Sequence, residues 1–113
     1  MVPGASVLSQ LRRGVLEYCV LAVLRDREQY GFELVKVLTQ SEGLLTSEGT
    51  IYPILARLRR DGAVVTTWRE STAGPPRRYY NLTQDGHDAL EQFTGEWGRF
   101  RDAVDGLLKA GAR

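Results

Sequence analysis

The sequence predicts a mainly α-helical α+β domain: three helices, then a β-hairpin, then one long C-terminal helix. Three observations carry this. Apolar residues recur at helical spacing in three successive stretches before Gly62. Two short segments rich in β-branched and aromatic residues then flank a stretch of Ser, Thr, Gly and Pro. After Leu82 a three-four apolar repeat runs on to Leu107. At 113 residues, 42% hydrophobic and 26% charged, the chain has the size and composition of one small globular domain.

The first helix is expected from Leu8 to Leu24, with Ser6 as N-cap and an apolar face of Leu8, Leu11, Val15, Tyr18, Cys19, Ala22 and Val23. Cys19, the lone cysteine, reads as a small buried hydrophobe. A polar turn from Asp26 to Gln29 leads to a second helix over about Tyr30 to Glu42. Its apolar set is Phe32, Leu34, Val35 and Leu38, and Gly43 is its stop.

The third helix starts at Ser47, a good N-cap, with Glu48 favourably placed against the helix dipole. Pro53 falls inside it and should crowd the carbonyl of Gly49, a residue with no Cβ to add to the strain. At about 100° per residue, Ile51, Ile54, Leu55 and Leu58 cluster on one side. Gly49, Pro53, Ala56, Arg57 and Arg60 point the other way, flanked by Thr50 and Tyr52, and Asp61-Gly62 closes the helix.

Val64 to Arg69 and Arg77 to Leu82 read as the strands of a hairpin, with a tip from Glu70 to Pro76 and arginines at its base. Tyr79 and Tyr80 alternate across the strand, so one packs inward and the other faces out. Three helices followed by a hairpin is the order of a winged helix-turn-helix, here spanning residues 6–82. Thr83 caps the last helix, over 83–110, whose seam is Leu90, Phe93, Trp97, Phe100, Val104 and Leu107. At about 40 Å this helix outreaches a core of that size, so the seam predicts a partner helix, most simply that of a second chain. The expectation is a homodimer.

Composition excludes several classes. No apolar run can span a bilayer, and Met1 to Ser6 lacks the basic and apolar regions of a signal peptide, so a cytoplasmic protein is expected. One cysteine and one histidine, His87, permit no internal disulfide and no Cys- or His-rich metal site. With no nucleophile elbow and no phosphate-cradling loop, no catalytic residue, cofactor or enzymatic role is expected. His87 reads as an exposed residue. Charge is unevenly spread: residues 47–80 carry six basic against three acidic groups, +3, while 81–113 carry four against six, −2. An arginine-rich middle suits a phosphate-facing surface, and equally a solvated face.

These residues resemble the PadR family of bacterial transcriptional regulators. The likeness lies in Leu11-Arg12-Arg13-Gly14, in Tyr30-Gly31-Phe32-Glu33-Leu34, and in Glu48-Gly49-Thr50-Ile51-Tyr52-Pro53 continuing through Arg57-Leu58 to Asp61-Gly62. It continues in Gly74-Pro75-Pro76-Arg77-Arg78-Tyr79-Tyr80 with Leu82-Thr83 and Gly86. The short C-terminal region is similar to the small subfamily with a single C-terminal helix. The resemblance implies a DNA-binding regulator, expected to be a dimeric repressor of a pseudo-palindromic operator in double-stranded DNA. Candidate DNA contacts are Tyr30, Ser47, Thr50, Tyr52, Pro53, Arg57, Arg77 and Arg78. For Tyr30 the resemblance implies a bond to phosphate. Packing between helices is the alternative for Tyr30 and Tyr52.

In drug-binding members of that subfamily, paired tryptophans sandwich a flat aromatic ligand across the dimer, and Trp97 matches that position. The candidate ligand set is Leu11, Val15, Tyr18, Phe93, Trp97, Phe100 and Arg101, and the expected effector is a small planar aromatic. The alternative is that Trp97 fills the dimer core. Tyr18 departs from the multidrug pattern, since its bulk could fill the ligand's space. Gly95, Gly98 and Gly106 each cost about 1 kcal/mol of helix stability, which close helix approach or room beside Trp97 would explain. Two other readings stand beside this one: a ligand-independent DNA-binding regulator, and a winged helix used for protein–protein contact. An acidic or apolar exposed face on the third helix would favour the latter, and it is neither.

Overall fold

The computed structural model describes residues 4–111, and side-chain surroundings from 7 onward. Met1 to Pro3 of the expected leaderless start lie outside the described residues. The order is α1 (Gly4–Arg12), α2 (Leu16–Val23), β1 (Gln29–Tyr30), α3 (Gly31–Thr39), α4 (Glu48–Arg60), β2 (Val64–Ser71), β3 (Gly74–Leu82) and α5 (Gln84–Gly111). This is the expected α+β winged helix-turn-helix with a long C-terminal helix.

The first expected helix is in fact two. Gly14 takes φ +80°, a conformation that favours glycine, and ends α1 before α2 begins. Ser6 lies inside α1, which starts at Gly4, so it is not the N-cap. The expected apolar face also needs correcting. The deep core takes Leu16, Val20, Leu21 and Leu24, while Tyr18, Cys19, Ala22 and Val23 are only partly buried and Leu11 is 63% exposed. Nearly every residue of α2 is apolar, because one side meets the core and another meets α5.

The second expected helix shortens at both ends. Tyr30 is drawn into β1, which pairs antiparallel with β3 through Gln29↔Tyr80 and Tyr30↔Tyr79. The helix stops at Thr39, and Gly43, at φ +85°, lies in the following turn. Leu34, Val35 and Leu38 are buried as expected; Phe32 is exposed instead. The remainder of the core is Ile51, Leu55, Leu58, Val64, Tyr80 and Leu90.

α4 runs unbroken through Pro53. Its C-terminus closes in a Schellman motif: the Ala63 amide donates to the Leu58 carbonyl (2.9 Å) and the Gly62 amide to that of Arg59 (3.2 Å), with Gly62 at φ +83°. The sheet order is β1-β3-β2. The hairpin tip is only Thr72-Ala73, shorter than the expected seven residues, because the strands continue past both prolines. Arg69↔Arg77 and Ser71↔Gly74 are paired, so Pro75 and Pro76 together face Glu70 alone. That bulge accommodates two residues with no amide hydrogen to give to a ladder.

Thr83 caps α5 as expected, its hydroxyl accepting from the Gly86 amide at 3.1 Å. The helix has 28 residues, about 42 Å of length, within a molecule of 60 × 30 × 20 Å. No helix among the described residues is long and apolar enough to cross a membrane.

Candidate nucleic-acid interface and aromatic seam

Around the axis of α4, side chains fall into strips at about 100° per residue. Ile51, Leu55 and Leu58 are buried, and Gly49, Pro53, Ala56 and Arg60 lie exposed on the opposite side. Thr50 and Arg57 form one flank of this outward strip; Tyr52 and Arg59 form the other. Ser47 has the extended backbone of an N-cap (φ −136°, ψ 165°), and its carbonyl accepts from the Thr50 and Ile51 amides at 3.0 and 3.1 Å. Its side chain makes no cap bond, contrary to expectation.

The two flanks face different neighbours. Tyr52 is turned toward the wing, and its phenol pKa is raised above the usual value by desolvation, then by Glu48, Tyr80 and Tyr30. On the other side Thr50, Ile54 and Arg57 line a cleft of about 310 Å³ with Arg12, Arg13 and Glu17. Arg57 there pairs with Glu17 at 3.4 Å.

The wing separates its arginines by strand alternation. Tyr80 is the inward tyrosine, 6% exposed, and Tyr79 faces out. On the Tyr79 face, the Arg77 guanidinium sits 4.8 Å from the Tyr30 ring and that of Arg69 sits 4.9 Å from Tyr79. Tyr30 also packs against Tyr79 and Phe32, with centroids at 5.7 and 6.1 Å. Arg78 lies on the opposite face, 4.6 Å over the Trp68 ring. Arg69 and Arg77 are directly paired across the strands, a like-charge juxtaposition. Glu28 relieves it, pairing with Arg69 while accepting from the Asn81 side-chain Nδ2 at 3.2 Å.

A chain of rings runs up the seam of α5. Tyr18 stacks on Phe93 (4.3 Å, 7°), Phe93 on Trp97 (5.6 Å, 19°), and Trp97 leans on Phe100 (6.4 Å, 32°). A hollow of about 370 Å³ lies between the α1–α2 turn and α5, lined by Arg13, Gly14, Val15, Phe93, Glu96, Trp97 and Phe100. Four of the seven expected ligand residues, Val15, Phe93, Trp97 and Phe100, therefore come together. Tyr18 lies behind Phe93, Leu11 is exposed away from the hollow, and Arg101 is paired with Asp102 at 3.3 Å. His87 is exposed, as expected.

The model of the transcriptional regulator PadR-like family matches residues 20–92, nearly two thirds of the chain. A transcriptional regulator of Mycobacterium tuberculosis is 33% identical over 85 residues, 75% of this chain and 78% of that protein. The chain belongs to the PadR-like family of transcriptional regulators. Solved structures agree. A PadR-like transcriptional regulator from Bacillus cereus superposes with TM-score 0.77 at 38% identity, covering 88% of this chain and 96% of that one. A PadR family regulator from Eggerthella lenta gives 0.78 at 35% identity, covering 92% and 90%. The protein is thus a DNA-binding transcriptional regulator and not an enzyme.

For this PadR-like regulator, reading the sequence alone missed Trp68, Arg69 and Glu28 at the wing and Arg12 and Arg13 beside α4. Strand alternation could have placed Trp68 opposite Arg78 and Arg69 opposite Arg77. Nothing local could have brought Glu28 to Asn81, 53 positions away. The family model matches as far as Gln92, while the solved relatives superpose over 88–92% of the chain and so extend further along α5.

Proposed function

We propose that the chain is a cytoplasmic, homodimeric repressor of the small, single-C-terminal-helix kind. In this reading residues 6–82 bind a pseudo-palindromic operator and 83–110 pair with the same helix of a second copy. α4 enters the major groove with Ser47, Thr50, Tyr52, Pro53 and Arg57 as its DNA contacts, Arg57 being able to reach phosphate or a guanine edge. Arg77 and Arg78 track the duplex from the wing, and the Tyr30 hydroxyl bonds a phosphate. The observation that supports this best is the outward strip of α4: it is small at Gly49, Pro53 and Ala56, and arginines border it on both sides.

The dimer rests on the exposed half of the seam. Phe100 and Leu107 are 65% and 76% exposed, too much contiguous apolar surface to leave in water on an isolated helix. Gly95 and Gly106 do not bear on this pairing: at about 100° per residue they lie on the side of α5 opposite Trp97, where a Cβ would meet nothing within 4 Å. A small planar aromatic ligand would stack on Trp97 across the dimer and release the operator by shifting the two wings relative to each other.

Tryptophan fluorescence tests the ligand. In Trp68→Phe, Trp97 is the sole indole. Saturable quenching by planar aromatics that survives in this variant, and vanishes in a still-dimeric Trp97→Ala, supports a ligand at the seam. Absence of quenching across such a panel, or a Trp97→Ala chain that turns monomeric, supports a ligand-independent regulator whose Trp97 fills the dimer core. The stacking of Trp97 on Phe93 favours that second reading.

A further inference from the structure

A helix lying in the major groove has a phosphate backbone on each side, because the groove is only about 12 Å wide. Tyr52, Tyr30 and the wing arginines occupy one side of α4. The other side is the α1–α4 cleft, where Arg12, Arg13 and Arg57 surround a single carboxylate, Glu17. Gly14 makes this cleft by breaking the helix and turning α1 aside. Arg12 fixes its wall, donating to the Leu44 carbonyl at 2.9 Å in the loop that leads into α4.

The ion pair inside the cleft is a loose one. Arg57 and Glu17 meet through one contact at 3.4 Å, with 46% and 29% of their side chains exposed. An exposed pair of this kind contributes little, and a phosphodiester presents two oxygens to a guanidinium where Glu17 now presents one. Thr50, two turns from Arg57 on the same flank, adds a hydroxyl at the cleft's other end.

We propose that this cleft seats a backbone phosphate of duplex DNA on the side of the groove away from the wing, in competition with the Glu17 carboxylate. The inference rests on the reading that α4 enters the major groove. It adds a second electrostatic grip, so that α4 is held from both sides, and it makes Glu17 a residue that weakens binding.

Titration of a labelled random-sequence duplex of about 30 base pairs at several salt concentrations tests this, because phosphate contacts act on any sequence. Arg13→Ala, at an exposed position, is expected to weaken binding roughly three- to tenfold near 0.1 M salt and to lower the salt slope by about one. Glu17→Gln is expected to strengthen binding by about threefold or more, since it removes the competing charge. Arg13→Ala with unchanged affinity and slope, or Glu17→Gln with unchanged or weaker binding, overturns the cleft. The wing variant Arg77→Ala separates the two levels of the argument. If it weakens binding while Arg13→Ala does not, the cleft alone fails; if the wild type binds no duplex at low salt, the reading of α4 fails with it.

Discussion

The backbone of Gly86 lies directly against the carbonyl oxygen of Ala63: a Cβ built on the glycine would sit 2.1 Å from that oxygen. The same oxygen accepts from the Thr83 amide at 3.1 Å, so the end of α4 and the start of α5 are joined at one point. Gly86→Ala gains helix propensity but must push backbone away from backbone. A net loss of about 2 kcal/mol or more is expected in urea unfolding. Gly95→Ala, with open space at its position, should instead leave the monomeric fold as stable or slightly more so.

Tyr30 carries two separable functions in the proposed interface. Its ring supports Arg77 and packs on Tyr79, while its hydroxyl reaches for phosphate. Tyr30→Phe should keep the thermal midpoint and weaken duplex binding by about 1 kcal/mol, the worth of one hydrogen bond. Tyr30→Ala should lower both. Equal binding by Tyr30→Phe and wild type would assign the residue to packing alone.

The parallel stack of Tyr18 on Phe93 is the aromatic link between α2 and α5. A double-mutant cycle with Tyr18→Leu and Phe93→Leu should return a coupling of about 0.5–1.5 kcal/mol in chemical denaturation. Additive losses would mean that the rings meet without preference for each other.

Leu107 lies at the far end of α5, remote from the winged helix. Leu107→Glu should leave the unfolding of the 6–82 region unchanged and shift sedimentation from dimer toward monomer. A variant that sediments as wild type would place the partner surface elsewhere.

Burial raises the pKa of the Cys19 thiol above its ordinary 9.0. The fold therefore favours the protonated form. The stabilisation this gives is fully present below the ordinary value and is lost as pH rises through the raised one. Reaction with a disulfide reagent near pH 8 should be slow in the folded protein and fast in denaturant. A rate already equal to that of the unfolded chain would contradict the half-buried placement.

Much of the fold was legible because its helices bury strips with plain periodicity; α4, with Ile51, Leu55 and Leu58, is the clearest. The seam of α5 was legible for the same reason. What escaped was set by tertiary pairing. β1 has two residues, too few for any alternation, and exists because Tyr30 finds Tyr79. The break at Gly14 hides inside a run whose apolar spacing continues through it. Pro75 and Pro76 read as a loop, and only the residue opposite them reveals a bulge. At the site, residue types and positions on α4 could be read directly. Glu17 beside Arg57, 40 positions apart, could not.

The short pairing of β1 with β3 has a mechanical consequence. Two residues just ahead of α3 are bonded to the inner strand of the wing, and the core ties α3 to α4. The base of the hairpin, at Tyr79 and Tyr80, is therefore tied to the helices and does not hinge freely. α4 and the wing form a single jaw, so in the proposed dimer the quantity the protein would gauge along a duplex is the gap from one jaw to the next, as a caliper does. A signal that reaches α5 would then act by changing the opening of the caliper while leaving the shape of each jaw intact.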